Sequence, residues 1–184
     1  MATPLTDRRI LIMATDGFEQ SELEVPFKTL KDAGAEVQIA SLEEGQIKGW
    51  DEDDWGGEVD VDLLIADASA DDYDALVLPG GQINPDLLRI EEKAIALIQN
   101  FAEAGKTVAA ICHAPWLLVE AGLAKGRDMT SYISIRTDVA NAGAQVFDRE
   151  VVVDGNIITS RCPDDLPAFC DAIIEALAHV GSDA

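Results

Sequence analysis

Residues 107–122, TVAAICHAPWLLVEAG, constrain the fold more than any other stretch of this chain, because two apolar runs meet there at a sharp break, Cys112-His113. Val108 to Ile111 is short, partly β-branched and free of charge, which suits a strand buried on both faces of a parallel sheet. Beyond the break the period becomes helical: Pro115 supplies a preset φ in the first turn, Leu117, Leu118 and Ala121 share a face, and Gly122 is a natural stop. Cys112 is therefore expected on a strand-to-helix turn that lifts its side chain above the carboxyl edge of the sheet, where α/β folds bind ligands. A thiol beside a helix N-terminus is expected to ionise more readily than the roughly 8.5 of free cysteine. The same residues also fit a buried cysteine acting as a small hydrophobe, with His113 an unremarkable neighbour.

The pattern of alternating elements runs the length of the chain. Arg9 to Ala14 reads as a first strand, followed by a turn through Asp16, Gly17, Phe18 and Glu19 and a helix carrying Leu23, Phe27 and Leu30 on one face, with Pro26 as an irregularity and Gly34 as its end. Glu36 to Ser41 is a second strand. Gly45 to Val61, with Trp50 and Trp55 among acids and glycines, is expected to be a loop or small hairpin off the main sheet. Asp74 to Leu78 is a clear strand ending in Pro79-Gly80-Gly81, where two glycines allow close backbone approach and could offer amides to an oxyanion. Ile83 to Arg89 reads as a loop or short helix, Glu91 to Ala104 and Ile135 to Ala142 as helices, and Gln145 to Val153 and Asn156 to Ser160 as strands joined across Asp154-Gly155. Asp165 to His179 closes the chain as a helix, Cys170 among its packing residues, and Gly181 to Ala184 is expected to fray. The fold class that follows is α/β, a single-domain, flavodoxin-like three-layer sandwich over residues 1–184, with a mostly parallel sheet, helices on both faces and one small β-hairpin.

Charge and cysteine content exclude several functions. A formal charge of −22, spread over acidic pairs between apolar elements, disfavours nucleic acid and anionic membrane as partners. It also raises the expectation of a protein adapted to high salt. Three cysteines without regular spacing form neither a disulfide framework nor a zinc pattern, and no apolar run approaches a membrane span, so the chain reads as cytoplasmic. Two histidines far apart offer no metal site, and no sequence feature calls for a cofactor.

Five motifs in order carry a family resemblance: Asp16-Gly17-Phe18-Glu19, Leu78-Pro79-Gly80-Gly81, Ala110-Ile111-Cys112-His113-Ala114-Pro115, Thr130-Ser131-Tyr132, and Val153 to Asn156 followed by Ser160-Arg161. Together they resemble the PfpI family of the class I glutamine-amidotransferase-like superfamily, over about residues 8 to 178. The resemblance implies that Cys112 is a nucleophile on a strained elbow and that Glu19 is the carboxyl group beside its sulfur. It also implies that Gly80, Gly81 and the amide of His113 form an oxyanion site, and that His113 pairs with an acid from a neighbouring subunit. Asp86 matches that acid, so a homo-oligomer, dimer or higher, is implied, with the site at the subunit contact. The activity implied is chemistry on small reactive carbonyls or on glycated protein, in which Cys112 adds to an aldehyde while Glu19 and His113 move protons. Two alternatives are an intracellular cysteine peptidase with a Cys112-His113-Asp86 triad, and a redox sensor or chaperone working through Cys112 oxidation.

Overall fold

The computed structural model of the protein describes residues 3–180, so the expected fraying of 181–184 lies outside the described residues. The elements in order are β1 (Arg9–Met13), β2 (Phe18–Glu19), α1 (Gln20–Asp32), β3 (Glu36–Ser41), β4 (Gln46–Asp51), β5 (Asp54–Asp60), β6 (Leu63–Leu64), β7 (Ala75–Leu78), α2 (Ile83–Leu88) and α3 (Glu92–Glu103). They continue with β8 (Thr107–Ile111), α4 (Pro115–Glu120), β9 (Asp128–Met129), α5 (Arg136–Asn141), β10 (Gln145–Val146), β11 (Val152–Asp154), β12 (Ile157–Ser160) and α6 (Leu166–Ala178).

Seven strands form the main sheet in the order β11-β12-β8-β7-β1-β3-β6. All neighbours run parallel except β11 and β12, which form the hairpin expected across Asp154-Gly155. Side-chain alternation along β1 shows why both faces must be covered. Ile10 and Ile12 pack with Leu23 and Leu30 of α1 and Phe169 and Ile173 of α6, whereas Leu11 and Met13 point into the core built with α3, α4 and α5. Each fully buried Leu, Ile or Phe in these two cores contributes about 1.5–3 kcal/mol. The outcome is the three-layer α/β architecture that the alternation of elements implies.

Three details differ from the expected elements. The Gly45–Val61 ribbon is a hairpin, β4–β5, but it also pairs in parallel with β2, so the tryptophan-bearing ribbon is tied to the turn after β1. The predicted Gln145–Val153 strand is two pieces. Gln145–Val146 pairs with β9 in a separate two-stranded sheet, and only Val152–Asp154 joins the main one. Between them Asp148 receives Arg136 and Arg161, so this segment is shaped by ion pairs and not by a ladder. Pro26 lies inside α1, without breaking it.

Candidate active site

Cys112 follows β8 directly, with φ at +66°, in the left-handed region that side-chain-bearing residues rarely occupy. Holding a cysteine there costs about 1–2 kcal/mol, and its backbone is fastened on both sides. The Cys112 amide donates to Ser160 O at 3.0 Å, and the Cys112 carbonyl accepts from Tyr132 N at 2.8 Å. The sequence motifs around Ser160 and Tyr132 thus act by clamping the elbow. Gly80 leaves room for it: a Cβ at this position would lie 2.7 Å from Cys112 Cβ and 2.6 Å from Ile111 O. Gly81, at φ +83°, abuts the β1–β2 turn, where a Cβ would fall 2.5 Å from Gly17 O.

The carboxyl group beside the sulfur is Glu22, which corrects the expectation for Glu19. Glu19 adopts extended backbone angles as the N-cap of α1, and its Oε2 accepts from the amide of Glu22 at 3.1 Å and from Ser21 Oγ. Glu22, one turn further on, is wholly buried. Its Oε1 accepts the amide of Gly80 at 3.0 Å, Oε2 has no nitrogen or oxygen donor, and the carboxyl interacts with the Cys112 thiol. The Gly80 amide is therefore committed to Glu22 and is not free for an oxyanion. The amides of Gly81 and His113 do point at the sulfur.

His113 is brought to Cys112, with Nδ1 3.2 Å from Sγ. Its ring stacks on Tyr132 at 4.7 Å, meets Trp116 edge-on at 5.2 Å, and presents Nε2 to Ser134 Oγ at 3.3 Å. Within this chain a hydroxyl, and not Asp86, partners the imidazole; Asp86 lies exposed on α2. Sequence reasoning missed Ser134, Glu22 and Asn84. Buried Asn84 accepts from Thr15 N and donates to Pro79 O and Gly80 O, locking the glycine turn to the turn after β1. The signal for Glu22 was its place on the stripe Glu22, Pro26, Leu30, the face α1 turns inward.

Comparison with known proteins places the chain in a family. The model of the DJ-1/PfpI family matches residues 8–176. The chain belongs to the DJ-1/PfpI family. Among its relatives in that family, a deglycase of Thermococcus kodakarensis is 46% identical over 92% of this chain and 99% of its own. A Bacillus subtilis protein provisionally named as a cysteine protease is 45% identical over 88% of this chain and 94% of its own. Of solved structures, Drosophila melanogaster DJ-1beta superposes with a TM-score of 0.85 at 31% identity, covering 93% of this chain and 90% of its own. A two-domain Anabaena variabilis protein with DJ-1/ThiJ/PfpI-like and ferritin-like domains gives 0.88 at 35% identity, and there the match covers 96% of this chain but half of that one.

In this DJ-1/PfpI member the electrostatics are those of a shared proton. Burial pushes Glu22 up to about 8, reinforced by the charge of Glu19 and opposed by the Gly80 amide. The thiol of Cys112, only 5% exposed, is raised and not lowered as the sequence suggested, because burial and the Glu22 carboxylate outweigh the Gly81 and His113 amides. Burial also lowers His113, keeping it neutral near pH 7. Carboxylate and thiolate cannot both be charged in this space, so the pair holds one negative charge when one proton leaves. Such a pair can deliver a thiolate to an electrophile and return the proton to the product oxygen. Among the described residues no group of three or more His, Cys, Asp or Glu is placed to hold a metal ion, and no helix is long and apolar enough to cross a membrane.

Proposed function

We propose that this protein is a cysteine-dependent enzyme acting on small reactive carbonyls, or on the early adducts they leave on proteins, with Cys112 as nucleophile. The observation that carries this reading is Cys112 at φ +66°, its sulfur set between His113 Nδ1 and the buried carboxyl of Glu22. The names of deglycase relatives support it. In the first step Sγ bonds to the aldehyde carbon, the C=O π pair moves to oxygen, and the thiol proton passes through Glu22 to that oxygen, giving a hemithioacetal. The amides of Gly81 and His113 face the sulfur and favour its thiolate as the proton leaves. Glu22 takes the proton-moving role that the sequence assigned to Glu19, and Glu19 holds Glu22 in place.

A second reading, an oligomeric peptidase, is favoured by one relative's name and by Asp86, which is exposed and therefore accessible to a second copy. Exposed Ile83 and Leu87 on the same helix, and Ile133 beside the site, are consistent with a subunit contact that completes the site in a dimer or larger assembly. The test is turnover of methylglyoxal and of casein by wild type, Cys112→Ala and Asp86→Ala. The carbonyl reading expects aldehyde turnover lost in Cys112→Ala and kept in Asp86→Ala, with casein intact. Casein cleavage lost in both variants, with methylglyoxal untouched, overturns it in favour of the triad.

A further inference from the structure

A cavity of about 260 Å³ lies next to the glycine turn, walled by Gly17, Trp50, Gln82 and Ile83. It borders the glycine turn that packs on Cys112. Gly17 backs onto Gly81, and a Cβ on Gly17 would lie 2.4 Å from Ile83 Cβ, so the three residues touch. Gln82 is two residues beyond Gly80, hence at most about 7.6 Å away from it between Cα atoms, and Gly80 is packed on Cys112 Cβ.

The Trp50 wall is fixed. The indole Nε1 donates to Glu52 O at 3.0 Å, and the ring meets Trp55 edge-to-face at 5.4 Å. Its strand is bound to the turn before β2 by Gly17 N to Lys48 O at 2.8 Å and by Lys48 N to Asp16 Oδ1 at 2.8 Å. Gln20 Oε1 accepts from Gly57 N at 2.7 Å, fastening the hairpin from the side of α1. Structural anchoring of a surface ribbon explains why one tryptophan packs on the other. It does not explain why the half-buried Trp50 also faces a hollow beside the glycine turn, opposite Ile83. A hollow with an aromatic wall, an aliphatic wall and one amide suits a flat, weakly polar group of roughly ten heavy atoms or fewer, and a preformed wall binds it with little ordering cost.

We propose that this cavity is a substrate-tail subsite: with the reacting carbonyl at Cys112, Trp50 and Ile83 hold the substituent beyond it, so the protein favours 2-oxoaldehydes with a planar apolar substituent over unsubstituted glyoxal. The inference rests on the carbonyl reading above and adds a specificity to it. Trp50 and Ile83 are specificity residues and take no part in proton movement.

The test compares kcat/KM for glyoxal, methylglyoxal and phenylglyoxal in wild type, Trp50→Ala, Trp50→Phe and Ile83→Ala. Phenylglyoxal turnover is expected to fall about tenfold in Trp50→Ala, a loss of about 1.4 kcal/mol, carried by KM. Glyoxal turnover stays within about twofold, and Trp50→Phe, which keeps a ring, retains most of the preference. An equal fall for all three substrates, or none, overturns the subsite. A second readout needs no turnover: titration with acetophenone, an aryl ketone without the aldehyde, followed by the indole N–H NMR signals. The Trp50 signal is expected to move while that of Trp116 does not. A Trp50 shift with no turnover of any aldehyde leaves the subsite standing and removes the carbonyl reading, whereas aldehyde turnover with an unmoved Trp50 signal removes the subsite alone.

Discussion

Replacing Glu22 with glutamine should stabilise the protein while disabling it, and the size of the effect follows from one buried carboxyl. Its ordinary value of 4.5 is raised by burial to about 8. Below pH 4.5 the group is neutral in both folded and unfolded chains and costs nothing. Between 4.5 and 8 the unfolded chain releases a proton that the folded chain keeps, so stability falls as pH rises, by about 1.36 kcal/mol per unit. The loss reaches about 3 kcal/mol at pH 7 and levels near 5 kcal/mol above pH 8. Glutamine does not titrate, and its Oε1 can still accept the Gly80 amide. Because Glu22 is wholly buried, solvent does not screen this effect away. The assay is urea unfolding of both proteins at pH 5, 7 and 8.5, reading the difference so that the many surface carboxylates cancel. With an m-value of about 2 kcal/mol/M, the midpoint should rise by about 1.5 M at pH 7 and little at pH 5. A difference that does not vary with pH, or a glutamine variant less stable at pH 8.5, refutes the buried-proton argument.

Aldehyde turnover should follow the same proton: kcat/KM should rise about tenfold per pH unit below 8 and level above it, since one ionisation of the Glu22–Cys112 pair forms the reactive state, and a profile already level at pH 7 would assign the control to His113, which burial lowers, instead. Gly80→Ala should abolish activity and lower stability by about 1–3 kcal/mol in thermal unfolding, because the added methyl collides with Glu22 Oε1, Ile111 O and Cys112 Cβ. Asp165→Ala should cost about 3 kcal/mol or more, as this buried carboxylate accepts from the backbone amide of Arg161 at 3.0 Å and from its guanidinium at 2.8 and 2.9 Å; a loss under 1 kcal/mol would show that the pair merely breaks even. With a net charge of −22, stability should rise from low to molar potassium chloride, and a flat dependence would remove the idea of a high-salt protein.

The sequence made the architecture legible wherever hydrophobic period and turn chemistry agreed. Val108 to Ile111 had to be a buried strand, and Gly122 and Gly155, at positive φ, stand at the stops they were expected to make. The elbow at Cys112 was readable for the same reason. What could not be read was which of two carboxyl groups one helical turn apart faces inward, because that depends on where α1 begins. Glu19 takes extended angles and caps the helix, and that choice turns Glu22 toward the sulfur. The ionisation of Cys112 was misjudged in sign because its burial and its acidic neighbour are tertiary facts, while the strand-to-helix turn is a local one. The Trp50–Trp55 ribbon was visible as a hairpin, but its pairing with β2, which carries Trp50 to the glycine turn, joins segments about thirty residues apart and leaves no local signal. Ser134 follows the Ser131-Tyr132 motif, yet nothing in its neighbours announces the contact with His113.

The most direct measurement is the carbon NMR spectrum of the protein with methylglyoxal labelled at the aldehyde carbon. A hemithioacetal resonance is expected to form in wild type, to be strongly reduced in Glu22→Gln, where no carboxylate carries the thiol proton, and to be absent from Cys112→Ala. Methylglyoxal consumption by Cys112→Ala at the wild-type rate, with no sulfur-bound carbon in either protein, would contradict it.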